Sequence, residues 1–153
     1  MTFWNKILEN EMLVSAVAGW LVAQFLKTMI DFGLNRTLSL ERLVGSGGMP
    51  SSHSATVSAL TVAAALIRGI ESTEFAVCFV LSSVVMYDAI GVRQETGKQS
   101  KLLNLIMEQD LFHLSNKQFQ QKLKEFVGHT PLQVLAGAVL GIIIAIIIHG
   151  YYI

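Results

Sequence analysis

Charged residues are scarce in this chain. Only 14% of its 153 residues are Asp, Glu, Lys or Arg, and 52% are hydrophobic, whereas a typical soluble domain carries about 25% charged residues. The deficit is local, because four long stretches contain no charge at all: Met12–Leu26, Ser54–Ile67, Phe75–Tyr87 and Thr130–Ile148. So few charges cannot cover a water-soluble globule of this size. The composition therefore predicts an integral, multi-pass membrane protein.

Cysteine is almost absent, and the formal net charge is zero. Cys78 is the single cysteine, so the chain can form no internal disulfide, and we expect this residue to be a small member of the core. Acidic and basic residues number 11 each, which leaves no net electrostatic attraction toward a phosphate backbone. Nucleic acid is therefore not an expected partner.

The charge-free stretches, taken with their flanks, are each long enough to cross a bilayer, which requires roughly 20 apolar residues. The predicted spans are Met12–Leu34, Ser52–Ile70, Glu74–Val92 and Pro131–Ile153. The second span is rich in small and hydroxyl-bearing residues, which suit a helix packed against other helices. The expected fold class is all-α: a membrane bundle of about four transmembrane helices, with the second span buried among the others. Residues 1–153 are expected to form a single membrane domain.

The connection after the third span is rich in lysine and carries two amphipathic patterns. Apolar residues fall on one side of a helix in "SKLLNLIMEQDLF" and again in "SNKQFQQKLKEFVG", which predicts two helices on the membrane surface or over the bundle. Lys and Arg residues are concentrated in the first and third loops, and loops rich in these residues usually lie in the cytoplasm. The sequence therefore predicts that both loops are cytoplasmic and that both termini lie on the opposite side.

Two of the four histidines stand at the expected starts of spans. His53 lies in the first turn after Ser51 or Ser52, either of which is a good N-cap. His129 immediately precedes Thr130, which is expected to cap the last span and is followed by a proline at the first helical position. The second and fourth spans begin on the same face of the membrane, so the sequence predicts that both histidines lie on that face.

The residues around these two histidines suit the binding of an anion. A helix N-terminus presents unpaired N–H groups, and Gly45, Gly47 and Gly48 would let the backbone come close to a bound group. Phosphate chemistry could then use one imidazole as nucleophile and the other as proton donor. The alternative is that each ring is a polar group at the membrane interface, as we expect for His113 and His149. No metal or other cofactor is predicted, because two histidines without nearby cysteine or a carboxylate cluster are a weak zinc signal.

These motifs resemble those of the type 2 phosphatidic acid phosphatase superfamily, which is related to vanadium haloperoxidases, and more specifically its small divergent branch. "PSSH" at Pro50–His53 is similar to the superfamily motif Pro-Ser-Gly-His, with Ser52 in place of glycine. "HTPLQVLAGAVLG", starting at His129, is similar to the second half of the motif Ser-Arg-x5-His-x3-Asp and to the Gly/Ala-rich helix that follows it. "YDAIGVRQETGKQ" at Tyr87–Gln99 is typical of the divergent branch. The resemblance extends over most of the chain from Lys27 onward.

The resemblance implies a lipid phosphate or phospholipid as the partner and a reaction at phosphorus. His129 would attack phosphorus to form a phosphohistidine, and His53 would protonate the leaving oxygen. Asp88 joins these two histidines as a candidate catalytic residue. The candidate phosphate-binding residues are Ser51, Ser52, Gly47, Gly48, Arg93, Lys27 and Arg36.

The chain departs from the superfamily pattern in its third and first motifs. Gln133 occupies the position of the Asp that orients the nucleophile, and Leu123 stands six residues before the nucleophilic histidine, where an Arg is expected. Lys27 and Arg36 are separated by eight residues rather than six, and no proline follows.

Asp88 and Arg93, at the end of the third span, could substitute for the missing charges. Arg93 could bind phosphate with two parallel hydrogen bonds. An acid within a span usually has a partner, and Asp88 could orient a histidine or form an ion pair with Arg93 or Lys27.

Two functions therefore remain open at the level of sequence. The first is a metal-independent hydrolase for a lipid-linked phosphate or pyrophosphate, which the pair of histidines favours. The second is a non-catalytic descendant that binds phospholipid head groups or serves as a membrane subunit of a partner, which Gln133 and Leu123 favour. The sequence also leaves a homo-oligomer open.

Overall fold

The fold is known from a computed structural model, which describes residues 2–36, 48–108, 123 and 128–153. Within these residues the chain forms α-helices and no strand, which confirms the all-α class. The helices are α1 (Phe3–Leu8), α2 (Glu11–Asn35), α3 (Ser52–Arg68), α4 (Thr73–Ile90), α5 (Val92–Glu108) and α6 (Pro131–Tyr152). The assignment of the whole chain to one membrane domain stays a prediction.

Three helical stretches of the described chain are long and apolar enough to cross a membrane: Glu11–Leu34, Thr73–Met107 and Pro131–Tyr152. The remaining predicted span corresponds to α3, which has 17 residues and contacts α2, α4 and α6. Its buried positions are mostly alanine and serine, as expected for a helix enclosed by the other three.

Each of the four long bundle helices begins at a side chain that accepts a hydrogen bond from the first turn. These N-caps are Asn10, Ser51, Ser72 and Thr130. The choice between Ser51 and Ser52 for α3 is settled in favour of Ser51, whose Oγ accepts from the backbone N–H of Ser54 at 3.3 Å. Such caps satisfy N–H groups that have no partner inside the helix.

Glycine and alanine allow the three central helices to approach one another closely. A Cβ atom at Gly137 would lie 2.3 Å from the carbonyl oxygen of Ser51, and one at Gly141 would lie 2.3 Å from the carbonyl oxygen of Ala55. From α2, a Cβ at Gly19 would come within 2.9 Å of the same Ala55 oxygen. Small residues are the usual means of close helix packing in lipid, where apolar side chains gain little by leaving the solvent.

Two hydrogen bonds between segments define one end of the bundle, here called the histidine end. The backbone N–H of Ser51 donates to the carbonyl of Gln133, and that of His129 donates to the carbonyl of Ala89, both at 3.0 Å. The starts of α3 and α6 therefore meet the last turn of α4.

A second set of contacts closes the opposite end. His149, which the sequence predicted to be a polar group at the interface, has its Nδ1 atom 2.7 Å from Glu11 Oε1. The hydroxyl of Tyr152 donates to the carbonyl of Leu8. These contacts join the end of α1 and the start of α2 to the end of α6.

The first amphipathic helix predicted after the third span is part of α5, which begins earlier than expected, at Val92. Asn104, on this helix, is buried, and its side-chain amide bonds to the backbone of Leu123 in both directions, at 2.9 and 3.0 Å. The second predicted amphipathic helix lies outside the described residues except for Leu123 and Gly128. The placement of α5 on a membrane surface stays a prediction.

Candidate functional site

The two histidines singled out in the sequence lie side by side at the histidine end. Their ring centroids are 6.4 Å apart, and the ring planes are inclined by 59°. His53 is in the first turn of α3 and is exposed, whereas His129, just before α6, is only 3% exposed. Residues far apart in the sequence therefore form one site at the adjacent starts of two helices.

Gln133 determines the orientation of the His129 ring. Its Oε1 atom lies 3.2 Å from His129 Nδ1 and also accepts a hydrogen bond from the backbone N–H of Thr130 at 3.1 Å. Because Thr130 can only donate through its N–H, the atom of Gln133 at this position is the carbonyl oxygen and not the amide nitrogen. In neutral His129 the proton therefore lies on Nδ1, and Nε2 carries a free lone pair.

His129 Nε2 is buried and, among the described residues, has no hydrogen-bond partner. Buried polar atoms are nearly always satisfied, so an exception calls for an explanation, and a catalytic role is one of the common ones. Burial lowers the pKa of His129 below its usual value. The hydrogen bond that Nδ1 donates to Gln133 opposes this shift, and the nearby His53, Lys27 and Arg93 add to it. The ring is therefore neutral at pH 7 and retains its lone pair.

A small pocket opens between the histidines and α4. It contains about 230 Å³ of empty space, part of it open to the surroundings. Its polar lining consists of His53, His129 and Arg93, and its apolar lining of Val85 and Ala89. Val85 and Ala89 are one turn apart on α4, so they form a continuous apolar part of the lining beside the polar residues.

Asp88 bonds to Arg93 rather than to a histidine. The distance from Arg93 Nε to Asp88 Oδ2 is 2.5 Å, and the two side chains are 45% and 36% exposed. Within the described part of the chain, no hydrogen bond connects Asp88 to His53 or His129. Of the partners considered for Asp88 in the sequence, Arg93 is therefore the one with which it forms an ion pair.

Lys27 lies close to the site, whereas Arg36 does not. Lys27 is 3% exposed, and its Cγ and Cδ atoms are 3.1 and 3.0 Å from the position that a Cβ of Gly48 would occupy. Gly48 has φ +92°, a conformation that side chains rarely adopt, which favours glycine at this position. Arg36 is the C-cap of α2 and lies about 13.5 Å beyond Lys27 along the helix axis. Gly45 and Gly47 lie outside the described residues.

The two serines proposed to hold phosphate have their side chains inside the bundle. Ser51 is fully buried and Ser52 is 4% exposed. Ser51 Oγ accepts hydrogen bonds from the N–H and the hydroxyl of Ser54, at 3.3 and 3.0 Å. The Ser51 hydroxyl therefore supports the start of α3 instead of lining the pocket.

Comparison with known proteins identifies the family of the chain. A family model described as "Divergent PAP2 family" matches residues 8–144. The chain belongs to the divergent PAP2 family. It is also 35% identical over 156 residues to a protein of Bacillus subtilis strain 168 named "Uncharacterized membrane protein YuiD", a match covering 96% of this chain and 99% of that protein. No solved structure matches the chain. With the three apolar helical stretches, these findings identify an integral membrane protein.

The structure shows the contacts of the two residues that depart from the third superfamily motif. Gln133 occupies the position of the missing Asp and contacts His129 Nδ1, so the orienting contact is kept without its charge. Leu123 occupies the position of the missing Arg, and its backbone is held by Asn104 while its side chain is 41% exposed and absent from the pocket lining. Arg93 is the cation that lines the pocket instead.

Sequence reasoning treated Gln133 only as a defect in the motif and missed the contact that it makes with His129. The signal was present, because Gln133 stands four residues after His129 and three after the cap Thr130, a spacing that brings side chains together at the start of a helix. Val85 and Ala89 were also missed, since nothing distinguishes them in the sequence from other apolar residues of a span.

Proposed function

We propose that this protein is a phosphatase-like membrane enzyme that hydrolyses a lipid-linked phosphate or pyrophosphate through a phosphohistidine at His129. The single observation that carries the proposal is the state of this ring: buried, held through Nδ1 by Gln133, with an unpartnered Nε2 beside a second histidine. A nucleophile whose orientation is set by a neighbouring hydrogen bond is the usual arrangement in covalent catalysis.

The proposed reaction proceeds in two steps. The Nε2 lone pair of His129 attacks phosphorus, the bond from phosphorus to the leaving oxygen breaks, and protonated His53 gives its proton to that oxygen. Water then attacks the phosphohistidine and gives a proton to neutral His53, so that orthophosphate leaves and both rings return to their starting states. Arg93 and the N–H groups at the helix starts would stabilise the charge on the phosphoryl oxygens.

The composition of the pocket supports a lipid-linked substrate. Its cationic and histidine groups lie at the end of the bundle, while Val85 and Ala89 continue along α4 toward the apolar part of that helix. A phosphate head group would meet the polar residues, and the attached chain would follow the apolar wall.

A second function, binding without hydrolysis, is favoured by the neutral amide of Gln133. A carboxylate stabilises the imidazolium that forms during catalysis, and removal of the equivalent acid in serine proteases costs about 10⁴-fold in rate. On this reading the pocket would bind phospholipid head groups, or the chain would serve as a membrane subunit of another protein or of a homo-oligomer.

Phosphate release by the purified protein from a panel of lipid phosphates and pyrophosphates tests the hydrolase proposal. We expect His129→Ala to abolish release and His53→Ala to reduce it by about 10²–10⁴-fold. Glu95→Ala is a suitable control, because Glu95 is exposed on α5, pairs with Lys98 and does not line the pocket. Equal activity in wild type and both histidine variants would overturn the mechanism. A lipid phosphate that co-purifies with wild-type protein and is never hydrolysed would favour the binding function.

We also propose that the histidine end faces the cytoplasm, since the first and third loops, where Lys and Arg are concentrated, connect to the helices at this end. Cys78 is buried, so an introduced cysteine would dominate labelling of intact cells. Lys98→Cys on α5 should be protected from an impermeant reagent added outside, and Tyr151→Cys at the other end should react, since both native side chains are exposed. Labelling of Lys98→Cys alone would reverse the orientation.

A further inference from the structure

The ion pair between Asp88 and Arg93 bridges the junction of two helices. Asp88 is in the last turn of α4 and Arg93 in the first turn of α5. Between them Gly91, with φ −90° and ψ −90°, interrupts the helix while its N–H still bonds to the carbonyl of Tyr87. The ion pair therefore connects the end of α4 to the start of α5, the helix that carries Arg93.

The backbone of Arg93 is held independently of this ion pair. Gly128, with φ +92°, packs against the first turn of α5, where a Cβ would lie 2.5 Å from the backbone nitrogen of Gln94 and 2.7 Å from the carbonyl carbon of Arg93. The next residue, His129, bonds to the carbonyl of Ala89 in α4. Since these contacts already fix the chain, the direction of the Arg93 side chain is the feature that Asp88 can determine.

The geometry of the guanidinium shows what the ion pair leaves available. Arginine has five N–H donors in a rigid planar arrangement. The Nε donor is directed at Asp88 Oδ2, and the four donors on the two terminal nitrogens remain for other groups. Arg93 lines the pocket with His53 and His129, whereas Asp88 does not.

We infer that Asp88 is a positioning residue that holds the Arg93 side chain toward the pocket and so sets the affinity of the site for a phosphoryl group. The inference rests on the proposed phosphate chemistry and replaces the catalytic role expected for Asp88 in the sequence. A hydrogen bond from His129 to Asp88 is disfavoured, because His129 Nδ1 already bonds to Gln133. A purely stabilising role is disfavoured because exposed ion pairs contribute little to stability.

Equilibrium binding of inorganic phosphate to the detergent-solubilised full chain, followed by ³¹P NMR, tests this inference without requiring turnover. Asp88→Ala releases the Nε donor, so we expect phosphate to bind about 10-fold more weakly, the loss typical of one charged hydrogen bond. Asp88→Asn keeps an acceptor for Nε and removes a negative charge near the phosphate, so it should bind at least as tightly as wild type. Glu95→Ala, which breaks an exposed ion pair on the same helix, should bind as wild type does.

A double-mutant cycle separates positioning from any other effect of Asp88. In an Arg93→Ala background, Asp88→Ala should cause no further loss, because its effect passes through Arg93. Three results would each overturn the inference. They are additive losses of phosphate affinity in the double mutant, wild-type phosphate affinity in Asp88→Ala, and phosphate binding by Asp88→Asn as weak as that by Arg93→Ala. The last comparison remains decisive if Asp88→Ala does not fold.

The failure of this inference and the failure of the proposed function give different results. Wild-type affinity in Asp88→Ala overturns the role of Asp88 alone. Phosphate release that survives His129→Ala overturns the proposed function alone. Wild-type protein that binds no phosphate contradicts both.

Discussion

Gln133 Oε1 lies 3.2 Å from His129 Nδ1 and 3.1 Å from the backbone nitrogen of Thr130. One oxygen thus completes the capping box of α6 and orients the buried imidazole. The start of this helix and the state of the candidate nucleophile therefore depend on the same side chain. Its replacement by other hydrogen-bonding groups should alter the chemistry of His129 without altering the fold.

Gln133→Glu should shift the pH dependence of activity. Glutamate also completes a capping box, so α6 should be unaffected. Its charge beside Nδ1 favours the imidazolium and therefore raises the pKa of His129. Since the nucleophile must be neutral, the acidic limb of the pH–rate profile should move to higher pH. Gln99→Glu, the same change at an exposed position of α5, should leave the limb in place. An unchanged limb in Gln133→Glu would show that residue 133 does not act on the nucleophile.

The stability of the wild-type protein should fall in mildly acidic solution. Burial lowers the pKa of His129 below the value of 6.5 expected in the unfolded chain, so the folded state binds fewer protons there. The contribution of this residue is fully present above about pH 6.5 and is lost as the pH falls through the lower pKa of the folded state. Thermal unfolding in detergent should show a larger loss in wild type than in His129→Gln, which cannot titrate at this position. Identical pH profiles for the two proteins would contradict the prediction.

Gly137→Ala should weaken the contact between α3 and α6. The added Cβ would lie 2.3 Å from the Ser51 carbonyl oxygen, so the helices must separate, at a cost of about 1–3 kcal/mol for an overpacked site. Gly150→Ala is the matched control in the same helix, because a Cβ there meets nothing within 4 Å. Unfolding in a denaturing detergent should separate the two variants. Equal stability would show that the close approach of α3 and α6 is absent.

Asn104→Leu should release Leu123 from α5. The variant keeps the branching of the side chain at Cγ but loses both hydrogen bonds to the Leu123 backbone, leaving a backbone N–H and carbonyl without these partners. Hydrogen exchange of the Leu123 amide should accelerate by about 10-fold or more, the equivalent of one hydrogen bond. Gln99→Leu, on the same helix, is the control and should leave that amide as protected as in wild type. Unchanged exchange in Asn104→Leu would contradict the contact.

The location of the helices was predictable, but the partners of several charged side chains were not. Ser51 and Thr130 predicted the starts of α3 and α6, because an N-cap side chain bonds to a backbone N–H only two or three residues further along the chain. Asp88 had three plausible partners in the sequence, and only the break at Gly91 directs Arg93 back toward it. Arg36 and Lys27 were both candidates for binding phosphate, but Arg36 lies at the far end of α2, away from the site.

By itself the sequence determined an all-helical membrane protein with two histidines at helix starts, because charge-free runs, caps and prolines act over one or two turns. Only the tertiary structure decided that these rings lie 6.4 Å apart, that Gln133 orients one of them, and that Arg93 lines the pocket between them. These relationships depend on how closely α3, α4 and α6 approach one another. That approach depends on the packing of small residues that are distant in the chain. A local sequence pattern cannot predict which of these residues meet.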